Sequence, residues 1–198
     1  MNKEESDSSI DLFWLPLGAG GRLVRFNGRV YEAIMARLEH RSRNALYHVA
    51  LEVHDRGNTF VIEMAPVWDS DAANRGVVCE GPVGSQLLGH SRLFRYEIRL
   101  WQNGIIPDVA WAVDSPQRLD NNELQVARLL EVISSVPALT WGRDEIRAGE
   151  MWNSNSVISW LLASSGIDMT KIIPPNRSRA PGWKSGLFLA YQQARTLD

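Results

Sequence analysis

The chain has a single cysteine, four histidines and no surplus of either charge, and each scarcity excludes a class of protein. With Cys79 alone, neither an internal disulfide nor a multi-cysteine zinc site can form, which suits a reducing compartment. The 21 basic and 23 acidic residues are scattered in both signs and sum to a formal charge of -2. No basic face is offered to nucleic acid or to an anionic membrane. Long apolar runs are also missing. The stretch 12–17 is short and contains Pro16, so neither a signal peptide nor a transmembrane span is expected. These absences predict a cytoplasmic protein. Residues 1–10, acidic and serine-rich at their start, read as a flexible tail. Residues 11–198 read as one domain, since 198 residues with 44% hydrophobic content can bury a sizeable core.

What is present reads as an α+β domain, with an antiparallel sheet packed against helices. Residues 22–26 suit a short strand, and Tyr31, Ile34, Met35 and Leu38 fall at helical spacing. Two runs rich in strand formers, 46–53 and 59–65, flank the turn residues 55–58 and predict a hairpin. Residues 69–91, with four glycines and Pro82, read mostly as loop. Phe94, Tyr96, Ile98 and Leu100 then alternate with Arg95, Glu97 and Arg99, a strand with one face for the core and one for water. A further strand is expected over 105–113. A helix follows, capped by Asp120 or Asn121 and carrying Val126, Leu129, Leu130 and Ile133, with Pro137 stopping it. A second begins near Ser154, is apolar nearly all round and ends at Gly166. A last short helix is predicted over 186–193.

The chemistry-bearing residues gather on two of these elements. If the hairpin turn has an even length, His54 faces Thr59, His48 faces Ala65, and Glu63 lies diagonal to His48 on the same side. A carboxylate beside an imidazole fixes its tautomer and stabilises its protonated form, as a general base requires. An odd turn would flip Glu63 away and leave Glu52 to orient the ring. Ser154, at the start of a buried helix, has unpaired N–H groups and the positive dipole end beside it, which suits a nucleophile with an oxyanion site. Asn153 and Asn155 can supply donors or shape the turn, and Trp152 can wall a cleft. A second reading stands beside this one, in which Ser154 is simply the helix cap.

A strand histidine, an acid on the next strand and a nucleophile at a later helix start form papain's set in permuted order. The chain resembles the permuted papain-like superfamily, which includes cell-wall amidases and endopeptidases and the lecithin:retinol acyltransferase relatives. Asn153-Ser154-Asn155 corresponds to their Asn-Cys-Asn, with His48 and Glu63 as the matching base and acid and serine in place of cysteine. The resemblance implies a circularly permuted papain-like fold and cleavage or transfer at amide or ester bonds of a small-molecule or peptide substrate. Its alternative is a silent module that keeps the cleft to bind a peptide, lipid or cell-wall fragment. The segments 15–21, 149–156 and 179–183 also resemble those of an uncharacterised bacterial family, which implies no activity.

No cofactor is implied. His48 and His54 stand six residues apart on one strand, about 20 Å end to end, too far to share a metal. The glycines of 18–21 lack the strand-to-helix setting of a phosphate loop.

Overall fold

The computed structural model describes residues 8–17, 46–67, 75–106 and 108–197. The strand and helix predicted over 22–26 and 31–38 lie outside these residues. Six strands, β1 (Ser9–Pro16), β2 (Tyr47–Asp55), β3 (Asn58–Pro66), β4 (Val77–Pro82), β5 (Arg95–Gln102) and β6 (Val113–Asp120), form one sheet in the order β4-β5-β3-β2-β1-β6. All the pairings are antiparallel. Among the described residues three helices, α1 (Glu123–Val132), α2 (Ser154–Ser164) and α3 (Trp183–Leu197), accompany the sheet in an α+β architecture. None of them is long and apolar enough to cross a membrane.

Strand alternation divides the core into two layers. Ile10, Leu12, Trp14, Tyr47, Val49, Leu51, Val53, Ile62, Met64, Tyr96 and Ile98 meet Val126, Leu129, Val157, Ile158, Trp160 and Leu161 on the helix side. On the reverse side Phe13, Leu15, Ala50 and Val61 pack with Ile106 from the segment after β5. Because β1 is apolar on both sides it carries no period-two signal, as interior strands often do not. That is why the sequence reading stops the tail at residue 10, whereas Ser8, Ser9 and Ile10 are buried and Ser9 already pairs with His54. The tail boundary is corrected accordingly.

The hairpin forms with the even turn, Arg56-Gly57, both at positive φ as a twisted two-residue turn needs. His54 faces Thr59. Other expectations change: the cap of α1 is Asn122 rather than Asp120 or Asn121, and α3 is longer than the helix expected over 186–193. Residues 77–82, read as loop, are the edge strand β4 and carry Cys79. Residues 105–113, read as a strand, contain instead a 3-10 turn, Val109–Trp111, entered through Asp108 at φ 60, and the strand follows as β6. Pro116 is tolerated there because β6 is an edge. Phe94 ends a 3-10 turn with 41% of its surface exposed, and the side of β5 predicted to face water is buried: Glu97 is 0% and Arg99 1% exposed.

Candidate functional site

The start of α2 is fixed by its own sequence. Asn153, with extended backbone, is the cap: its Oδ1 accepts from the N–H groups of Asn155 and Ser156, and Ser156 Oγ accepts in return from Asn153 N, a capping box. Ser154 is therefore not the cap. The helix amides predicted to line an oxyanion site are partly consumed, since those of Asn155 and Ser156 serve Asn153.

The same segment is bolted to 179–186, which joins the two motifs that stood apart in the sequence. Asn153 Nδ2 donates to Pro181 O at 2.8 Å, Ser156 Oγ to Gly182 O at 2.7 Å and Ser159 Oγ to Trp183 O at 2.8 Å. Glu150 answers from the other side: its Oε2 accepts from Gly182 N and Lys184 N, and its carbonyl from Ser185 Oγ. Gly182, at φ 88, sits where a Cβ would strike the Asn153 amide, and a Cβ at Gly186 would strike the Ser156 carbonyl and Ser159 hydroxyl. Both glycines are thus set by close approach of α3 to α2.

The decisive feature lies at the beginning of β2. Its ladder with β3 starts only at Leu51 opposite Ile62, so the preceding residues have no β3 partner on that edge. Segment 179–182 and α2 occupy the vacated place. Tyr47 N donates to Arg179 O at 2.9 Å, and Tyr47 O accepts from Asn155 Nδ2, also at 2.9 Å. Asn155 Nδ2 holds Pro181 O as well, at 2.8 Å. The helix start is therefore tied into the sheet beside His48 rather than lying only on top of it.

Of the four polar residues in 153–156, three are committed to this framework. Ser154 is half-buried, and among the described residues neither its hydroxyl nor its N–H has a hydrogen-bond partner. His48, between the helix-facing Tyr47 and Val49, turns its ring to the reverse side with Ala50. Burial pulls its pKa down from 6.5 to about 4, against the opposing charge of Asp108. The ring is thus neutral near pH 7 and able to accept a proton. No hydrogen bond joins it to Ser154.

Glu63 does lie on His48's side of the sheet, but its carboxylate belongs elsewhere. Arg99 Nη1 donates to Glu63 Oε1 at 2.8 Å and Arg99 Nε to Glu97 Oε1 at 2.5 Å, while Arg75 grips both Glu97 oxygens. Burial opposes ionisation of Glu97, yet the donors from Arg75 and Arg99 outweigh it and hold the carboxyl below its ordinary range. Glu63 as the orienting acid is therefore corrected. So is its fallback, since Glu52 Oε1 pairs with His54 Nε2 at 3.0 Å.

The residues predicted to touch substrate are also reassigned. Trp152 is 1% exposed and packs in the helix-side core, so it walls no cleft. Asn155, likewise 1% exposed, commits its Nδ2 to the framework just described, as Asn153 commits its whole amide, and Asn155 Oδ1 is buried. No group of three or more His, Cys, Asp or Glu that could hold a metal occurs among the described residues. Neither Ser154 nor His48 lines the open polar depression of about 490 Å³ formed by Ser85, Gln86, Thr140, Arg143, Asp144 and Glu145. Comparison with family models, curated proteins and solved structures returned no match for this chain.

Proposed function

We propose that the chain is a hydrolase or acyltransferase acting on amide or ester bonds, with Ser154 as nucleophile and His48 as base, in a permuted papain-like arrangement. One observation carries this reading: α2 begins in the gap beside His48, and Ser154 is the single polar residue of 153–156 without a structural task. A serine kept at a helix start and not used as the cap has its hydroxyl available for reaction. In the reaction Ser154 Oγ attacks the carbonyl carbon while its proton passes to His48. His48 then returns that proton to the leaving amine or alkoxide, and water or an acceptor alcohol removes the acyl group. Ser154 N–H, free of an intrahelical acceptor, is the donor best placed for the oxyanion. Because the His48 ring faces the side of the sheet away from the helices, this transfer requires ring and hydroxyl to meet through the gap at the start of β2.

A fluorophosphonate probe tests the assignment. Stoichiometric labelling of the wild type, lost in Ser154→Ala and strongly slowed in His48→Gln, is the expected result. Labelling that persists in Ser154→Ala, or no labelling between about pH 5 and 9, would overturn it.

The second reading, a silent binding module, is favoured by a separate observation. The acid that the permuted triad would use is engaged by Arg99, and serine and histidine are not hydrogen-bonded to one another. Absence of labelling together with ligand-dependent shifts of the Ser154 amide resonance would establish that module instead.

A further inference from the structure

The geometry points to Asp108 as the positioning residue that holds and charges His48, in the role the sequence would give to Glu63. This inference rests on the hydrolase reading for its chemistry, but the pairing itself stands on placement.

Elimination supplies the first support. On the reverse side of the sheet Asp11, Glu52, Glu63, Glu80 and Glu97 are each engaged, Glu80 by Arg95 at 2.8 Å, while Asp114 on the edge strand β6 is exposed. Arg118 binds Asp11 through Nε at 2.5 Å and Nη2 at 3.1 Å, His54 takes Glu52, and Arg99 with Arg75 takes Glu63 and Glu97. The Asp108 carboxylate has no hydrogen bond and no ion pair among the described residues, although the residue is only half-exposed.

Position supplies the second. Two residues before Asp108, Ile106 is 3% exposed and packs with Leu15 and Ala50. Leu15 is the residue directly opposite His48 on β1, and Ala50 follows His48 on the same side of β2. The chain is thus pinned onto the immediate neighbours of the ring before it reaches Asp108. The backbone then adopts φ 60 and ψ 13 at Asp108, a left-handed conformation that Asp tolerates better than most side-chain-bearing residues, and enters the 3-10 turn Val109–Trp111 with Trp111 N donating to Asp108 O. Among the charged groups around His48, Asp108 is the one whose field acts on the ring, raising its proton affinity against burial. His54, Glu52, Asp11 and Arg118 lie further along the strands and are paired together. During attack on a carbonyl, Asp108 would stabilise the imidazolium formed when His48 takes the Ser154 proton, and no proton needs to reach the carboxylate.

The test uses full-length protein with ¹⁵N-labelled histidine. In the wild type, one neutral tautomer of His48 should dominate at pH 7. Asp108→Asn should mix the tautomers, lower the His48 titration midpoint by at least about half a unit and slow fluorophosphonate labelling by at least about tenfold. Asp108→Glu should restore part of each effect, and Glu63→Gln should leave the His48 midpoint in place. An unmoved tautomer ratio and midpoint in Asp108→Asn, or a midpoint that follows Glu63→Gln instead, overturns the inference. If the wild type fails to label but the His48 signals still respond to Asp108, the hydrolase reading falls and the pairing stands.

Discussion

The two sides of the sheet solve the problem of burial by different chemistry. The helix side is filled mainly by apolar residues, and the densest set of its polar contacts is the seam where 149–156 meets 179–186. The reverse side has a small apolar cluster and, beside it, buried ions: Asp11, Glu97 and Arg99 are each no more than 2% exposed. The contrast teaches that burial on the helix side is nearly indifferent to partner identity, whereas on the reverse side every charge needs one particular counter-charge.

The sharpest way to break this contrast is to remove one ion. Arg99→Ala leaves Glu97 and Glu63 short of a cation in a dry setting and should cost about 3–5 kcal/mol in urea unfolding. A cost below about 1 kcal/mol would mean that water reaches these carboxylates and that the two sides do not differ.

Next in size is the pH response of His48. Its folded pKa, about 4, lies below the ordinary 6.5, so between these values the unfolded chain binds a proton that the folded chain refuses. Stability contributed by the neutral ring is complete above pH 6.5 and is lost as the pH falls toward 4. The ring keeps some solvent contact, so about 3 kcal/mol is a ceiling. Denaturant midpoints of wild type and His48→Gln across this window should diverge, with the variant showing the flatter profile; parallel profiles would remove His48 from the buried set.

The seam is probed by two adjacent residues. Asn155→Ala deprives the Tyr47 carbonyl of its donor and the Pro181 carbonyl of one of two, and should cost about 2 kcal/mol. Ser154→Ala removes no hydrogen bond and should change stability by less than about 0.5 kcal/mol while abolishing labelling. If Ser154→Ala proves the more destabilising of the two, Ser154 is part of the framework and not a reactive group.

Much of the helix side was legible in advance because its signals are local. The hairpin follows from strand formers around a turn, and α2 from a polar start, an apolar body and Gly166. Its cap was displaced by only one residue, to Asn153, since Asn and Ser both serve that role. The reverse side was misread for a matching reason. Glu97 and Arg99 alternate with apolar residues, a pattern that normally marks a solvated face. Their burial depends on Glu63 and Arg75, which neighbour them only after the strands pair. Asp108 left no signal beyond an unremarkable Pro-Asp pair in a segment that resembled a strand.

By itself the sequence determined the α+β class, the hairpin and the location of the polar helix start, because each is fixed by spacing along the chain, while the register waited on the turn length. Only the tertiary structure decided which acid is available to His48, that the motifs at 149–156 and 179–186 form one seam, and that α2 is tied into the gap beside β2. Those outcomes depend on which side chains desolvate one another, and that competition between partners is settled only when distant segments meet.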